Sequence, residues 1–163
     1  MELITSLTNA KVKMALSLQQ KKYRDKYQLF ILEGIRNAEM VIAKNISVQM
    51  CFFTQKAFTN ERGKSILEQL NCPCFEIPEH IYQKISDTQS PQGLMLILPI
   101  QNHNLDDLAT INKSGLYLIL DRLQDPGNIG TIIRTADAMG VKAIICLNGT
   151  ADIYSPKVVR SAM

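Results

Sequence analysis

The chain has 163 residues, enough for one large or two small domains, and its 46% apolar share argues against disorder. No apolar run approaches the roughly 20 residues a membrane span needs, and Met1 to Asn9 lacks a basic segment followed by an apolar core, so we expect a cytoplasmic protein. The net charge of +3 is concentrated: residues 1–30 hold Lys11, Lys13, Lys21, Lys22, Arg24 and Lys26 against Glu2 and Asp25, the pattern of a phosphate-contacting surface.

In chain order, Asn9 to Gln19 reads as a helix with Val12, Ala15, Leu16 and Gln19 along one side. Lys11 falls on its polar side, and Lys21, Lys22, Arg24 and Lys26 follow there or in the loop beyond. Tyr23 and Tyr27 interleave with these cations, and aromatics so placed are suited to stacking on unpaired bases; a solubilising helix and loop is the alternative. Gln28 to Glu33 is a strand stopped by Gly34, followed by a helix over Ile35 to Ala43. Ser47 to Phe53 is the next strand, Thr59 to Leu70 a helix, Cys74 to Ile77 a strand, Glu79 to Ile85 a helix, and Gly93 to Leu98 a last strand. This alternation predicts an α/β domain of three layers. Cys51, Cys72, Cys74 and Cys146 lack zinc spacing, since Cys72-Pro73-Cys74 separates its thiols by one residue only, so we expect reduced thiols and no metal. His80 and His103 have no visible partner in the sequence. Pro99 to Ser114 is polar and turn-rich, a linker with at most a short helix near Leu105 to Ile111.

Ser114 to Val141 then reads as strand, turn, helix. Leu116 to Leu120 is an apolar run expected to be buried on both faces. Asp125-Pro126-Gly127 is a turn signal, and Asn128 occupies the expected N-cap. Ile129, Ile132, Ile133, Ala136 and Met139 form one apolar stripe, and Gly140 stops the helix. Gly130, Arg134 and Asp137 cluster away from the stripe, with Gly130 leaving the approach to the guanidinium uncovered. That face suits phosphate or ribose oxygens, or else Arg134 is solvated and paired with Asp137. Ala143 to Leu147 is a second strand, parallel to the first, and Ser155-Pro156 opens another helix with Pro at its first position.

The string Asn128-x-Gly130-x-x-x-Arg134-Thr135-Ala136-x-Ala138-x-Gly140 resembles the first signature motif of the SpoU (TrmH-like) branch of the SPOUT RNA methyltransferases. Tyr154-Ser155-Pro156-Lys157-Val158-Val159-Arg160-Ser161-Ala162-Met163 resembles the segment that follows it. Upstream, Ile4-Thr5-Ser6 with Asn9 and Lys11-Val12-Lys13, then Lys21-Lys22-Tyr23-Arg24, Phe30-Ile31-Leu32-Glu33-Gly34 and Gln92-Gly93-Leu94 are similar to the substrate-binding domain that precedes the SpoU domain. The resemblance implies an RNA-binding α/β domain over residues 1–98, akin to ribosomal proteins that bind kinked RNA. A linker over 99–114 and the start of a parallel-sheet SPOUT (α/β knot) domain over 115–163 would follow. It implies an S-adenosylmethionine-dependent 2′-O-ribose methyltransferase acting on rRNA or tRNA, and a homodimer for the complete protein. Arg134 would accept the proton of the ribose 2′-hydroxyl or orient the ribose, and Asn128 would place the nucleotide. Asn9, Lys11, Lys13, Lys21, Lys22, Arg24, Glu33 and Gly34 would contact RNA. The chain stops inside the helix that Ser155 opens, so the expectation is a fragment, incomplete in its SPOUT domain, with the cofactor-binding residues beyond Met163.

Two other readings stand beside this one. A non-catalytic RNA-binding protein needs only the basic N-terminal domain. A small-molecule or nucleotide-binding module on a Rossmann-like sheet is disfavoured, because Gly127-Asn128-Ile129-Gly130 is not the Gly-x-Gly-x-x-Gly pattern and the turn after Leu120 is long.

Overall fold

The computed structural model describes residues 1–103 and 114–163. The short helix expected near Leu105 to Ile111 lies outside the described residues. The chain divides into two compact units, Met1–Ile100 and Gln101–Met163. Among the described residues, no helix is long and apolar enough to cross a membrane.

In the first unit, β1 (Glu2–Leu3), β2 (Leu29–Glu33), β3 (Met50–Phe53), β4 (Cys74–Glu76) and β5 (Leu94–Pro99) form one mixed sheet, ordered β1-β4-β3-β5-β2. β3 pairs parallel with β4 and antiparallel with β5, which sets Phe52 beside Phe75 and Met95. α1 (Ala10–Ser17) and α6 (Glu79–Ile85) cover one face, packing Val12, Ala15, Ile81, Tyr82 and Ile85 on Phe52, Phe75, Met95 and Ile97. Strand alternation turns Leu32, Phe53, Leu94 and Leu96 to the opposite face. There α3 (Ile35–Ala43) lies on β2 and β5, with α5 (Glu61–Gln69) against it. This is the expected three-layer α/β arrangement. β5 reads as a continuous apolar run because it is central and covered on both sides, Leu94 to Leu98 all being buried.

Two segments differ from expectation. Residues 21–27 are not loop but a helix, α2 (Lys21–Tyr27), whose amides Tyr23 and Arg24 bond the Gln20 carbonyl. The helix expected over Thr59 to Leu70 is α5, and a short helix that was not expected, α4 (Gln55–Phe58), precedes it. The break falls at Asn60, whose side chain accepts from the Arg62 and Gly63 amides and so caps α5.

The second unit is a β–α–β–α run: β6 (Tyr117–Leu120), α7 (Pro126–Ala138), β7 (Ala143–Cys146) and α8 (Pro156–Ser161). β6 and β7 are parallel, with Leu118 opposite Ile144. Leu120, Ile129 and Val158 form its buried centre, with Ile132, Ile133 and Ile144 packed against them. The expectation that the first strand is buried on both faces is corrected: Leu116 is 56% and Ile119 60% exposed, because α7 and α8 cover only one face of two strands. The apolar stripe of α7 is likewise shorter than expected, since Met139 at its C-cap is 69% exposed. Gly140 does stop the helix. At φ +70° its N–H bonds the Asp137 carbonyl while the Val141 N–H bonds that of Ala136, a Schellman closure.

Candidate nucleic-acid interface and methyl-transfer site

The basic residues of the first unit separate into two groups. Lys13, Lys21 and Lys22 are exposed on α1 and α2, as is Lys26, although Lys21 holds Asp25 one turn on at 2.7 Å. Such an exposed pair contributes little stability and leaves the ammonium available to a phosphate. The other group is engaged by the fold. Asn9 is the N-cap of α1, its side chain accepting from the Lys11 amide at 2.9 Å. Lys11 reaches Glu2 at 3.3 Å and lies 4.3 Å from the centre of the Phe75 ring. Arg24 is 3% exposed, and its Nη1 donates to the Leu18 carbonyl at 2.7 Å. The expected phosphate contact by Arg24 is therefore corrected: its guanidinium satisfies an orphan carbonyl at the end of α1. A buried arginine needs a partner, and that partner is fixed only by tertiary structure.

Glu33 and Gly34 are also placed differently from a direct RNA contact. The Glu33 carboxylate accepts from Tyr82 Oη at 3.2 Å, Ser86 Oγ at 2.8 Å and Thr88 Oγ1 at 3.0 Å. Burial, and then the Glu33 charge, push the Tyr82 phenol well above its ordinary value. Gly34, at φ +109°, N-caps α3 and donates its N–H to the Leu94 carbonyl. Gln92 Oε1 accepts from the Ile35 amide at 2.8 Å. This corner thus ties the start of α3 to the 86–93 segment. Sequence reasoning missed Ser86 and Thr88, since nothing local marks hydroxyls 53 and 55 residues away as partners of Glu33. We expect Glu33→Ala to cost about 1–3 kcal/mol, because three hydroxyls lose their acceptor. Glu33→Gln, which keeps one carbonyl oxygen, is expected to cost less. Urea midpoints of the two variants check this, and equal midpoints for both and the unsubstituted chain would exclude the network as a structural tie.

In the second unit, the N-cap of α7 is Asp125 and not Asn128. The Asp125 carboxylate accepts from the Asn128 amide at 2.7 Å, with Pro126 at the first helical position. Proline lacks an N–H and its fixed φ suits helical entry, so the helix starts ahead of the position expected from sequence. Asn128 is therefore inside the first turn, its side chain exposed. Helix geometry sets Asn128 and Arg134 about 120° apart in azimuth and about 9 Å apart along the axis. They are brought to one helix but not to one point.

Gly130 does not leave an open approach. A Cβ there would lie 2.4 Å from Ser161 Cβ, 2.6 Å from the Ser161 carbonyl carbon and 2.8 Å from the Ala162 nitrogen. Its task is to let α8 pack on α7, and Ser161 Oγ donates to the Pro126 carbonyl across that contact. Arg134, exposed on the same side one turn on, donates from Nη1 to the Met163 carbonyl at 3.2 Å. The face that looked solvated in sequence is thus partly roofed by residues 161–163.

The described cysteines are all free; Cys51 and Cys74 pair in register across β3 and β4. Among the described residues, no three His, Cys, Asp or Glu side chains are placed to hold a metal ion.

Comparison with known proteins follows the two units. Residues 9–96, more than half of the chain, match the MRM3-like substrate binding domain, and residues 115–163 match the SpoU rRNA Methylase family. The 23S rRNA (guanosine(2553)-2′-O)-methyltransferase RlmP of Bacillus subtilis is 34% identical over 162 residues, covering 99% of this chain and 61% of that protein. The mitochondrial rRNA methyltransferase 3 of Xenopus laevis is 31% identical over 148 residues, covering 89% of this chain and 35% of its own length. Among solved structures, the AdoMet-bound rRNA methyltransferase from Sinorhizobium meliloti aligns with a TM-score of 0.84 at 32% identity, over 99% of this chain and 60% of the other. The chain thus spans about 60% of the length of RlmP and of the Sinorhizobium protein.

Proposed function

We infer that this chain, which belongs to the SpoU rRNA methylase family and carries an MRM3-like substrate-binding domain ahead of its SpoU segment, recognises RNA for 2′-O-ribose methylation with S-adenosylmethionine as methyl donor. The observation that carries the reading is the order of the two units. A domain exposing Lys13, Lys21, Lys22 and Lys26 precedes a parallel β–α–β unit whose helix presents Arg134. Relatives of both units are named rRNA 2′-O-methyltransferases or rRNA methyltransferases, one of them solved with the cofactor.

Ile119 on β6 and Leu116 just before it are exposed, and the space beside Gly130 is filled by Ser161. What this chain's residues supply is substrate handling. Arg134 presents a planar fork suited to ribose and phosphate oxygens. A guanidinium is a poor base, so its role is orienting the nucleotide and balancing charge. Asn128 offers an amide on the first turn of the same helix. The exposed lysines of α1 and α2 grip phosphates, and the Glu33–Gly34 corner holds the 86–93 segment that borders the start of α3. The domain limits 1–98, 99–114 and 115–163, a homodimer and a cytoplasmic location belong to the same proposal. The exposed Leu116 and Ile119, before and on β6, support the dimer.

The open face of β6 favours a second reading for these 163 residues taken alone: RNA binding without turnover. RNA binding is common to both, so it is tested first. Fluorescence anisotropy of the chain with an rRNA hairpin should give an affinity that falls steeply with salt. Charge reversal at Lys21 and Lys22 should weaken binding about tenfold or more and flatten the salt slope by about 0.7–0.9 for each lysine–phosphate pair removed. Unchanged affinity in that variant would sink the lysine surface.

A further inference from the structure

We propose that Tyr23 and Tyr27 on α2 form a stacking platform for unpaired RNA bases, flanked by Lys22 and Lys26; this rests on the reading that the first unit binds RNA. The two rings are four residues apart, which puts them on one side of the helix. Their centroids are 6.3 Å apart and their planes differ by 16°, so they form a near-parallel pair. Tyr27 is 40% exposed, in contrast to Tyr82, which is fully buried in the core with its hydroxyl held by Glu33.

The cations repeat with the rings. Lys22 Nζ lies 5.9 Å from the centre of Tyr23, and Lys26 Nζ lies 5.3 Å from the centre of Tyr27. Lys-Tyr thus occurs twice, one helical turn apart, and gives each ring its own cation. That is the pairing a nucleotide needs, with a π-face for the base and a positive charge for its phosphate. A duplex satisfies it poorly, since its base faces are already stacked, whereas loops, bulges and single strands offer them.

The helix that carries the pair is held firmly for its length. Arg24, between the tyrosines, is anchored to the Leu18 carbonyl. Gln28 closes the helix at φ +53° while its side chain donates to the Asp25 carbonyl at 2.8 Å. The acidic residue of the segment, Asp25, is matched by Lys21, which leaves Lys22 and Lys26 to set the sign of the field beside the rings. Fixed rings lose little conformational freedom when a base docks on them.

The test uses the chain with a single-stranded RNA 12-mer carrying one 2-aminopurine, and with the same strand annealed to its complement. The single strand should bind more tightly than the duplex, with the 2-aminopurine emission quenched. Tyr27→Leu should weaken single-strand binding about tenfold and relieve the quenching without changing the salt slope, because no cation is removed. Tyr27→Phe should bind as the unsubstituted chain does. Circular dichroism confirms that each variant is folded. Undiminished affinity and quenching in Tyr27→Leu would overturn the platform while leaving the RNA-binding reading intact. Equal loss of duplex and single-strand binding would also overturn it. No binding of either RNA would overturn both the platform and the reading beneath it.

Discussion

Arg134→Ala, in a protein that spans the full length of its relatives, is expected on the proposed reading to lower methyl transfer by about 10²-fold or more while leaving RNA affinity nearly unchanged. The side chain is exposed on α7, and it bonds the Met163 carbonyl near the chain end, so its removal should not unfold the unit. On the proposed reading the affinity for RNA comes from several lysine–phosphate contacts, to which one guanidinium adds little. Turnover, by contrast, depends on how the ribose is aimed, and misplacement by about 1 Å is enough for an effect of this size. Arg134→Lys separates two roles. A lysine keeps the charge without the planar fork, so partial recovery points to charge and a defect equal to alanine points to the fork. Single-turnover rates with Kd measured separately read all of this. Near-normal turnover in Arg134→Ala would remove Arg134 from the site.

Gly130→Ala is expected to destabilise the second unit by about 1–3 kcal/mol, the reverse of what helix propensity alone gives. In an exposed helix interior, alanine for glycine would stabilise by up to about 1 kcal/mol. Here the added methyl meets Ser161 Cβ at 2.4 Å and, more decisively, the Ser161 carbonyl carbon at 2.6 Å and the Ala162 nitrogen at 2.8 Å. Backbone atoms cannot rotate aside, so α8 must shift off α7. For the same reason Ser161→Gly should not rescue Gly130→Ala, since it removes only one of the three obstructing atoms. Thermal unfolding, read together with amide exchange in α7, measures the change. A stabilised Gly130→Ala variant would show that α8 does not pack there. Such a shift would also part Arg134 from the Met163 carbonyl, so this variant should perturb the site without touching a ligand-facing group.

Much of this architecture is legible in the sequence because its signals are local. Phe30 to Leu32 and Leu94 to Leu98 are unbroken apolar runs of strand length, and the stripe through Ile129, Ile133 and Ala136 has the helical period; both signals survive without knowledge of neighbours. Gly140 and Ser155-Pro156 mark helix ends by backbone chemistry alone, and they mark them correctly. The cap of α7 is harder to read, because Asp125 and Asn128 are both good N-caps and only the position of Pro126 decides between them.

Sequence by itself determined the α/β class, the order of the longer strands and helices, the concentration of lysines near the N-terminus and the family motif around Arg134. Only the tertiary structure decided what several of those residues do. Arg24 and Lys11 carry the same formal charge as Lys22, yet one is buried on a carbonyl and another lies across Phe75. Gly130 has no side chain to announce that a second helix needs its space. Glu33 reads as a motif carboxylate until Tyr82, Ser86 and Thr88 close around it. The physical reason is the same in each case: periodicity and caps are fixed by residues within a turn or two. Burial and hydrogen-bond partnership are fixed by residues tens of positions away, and only folding brings those together.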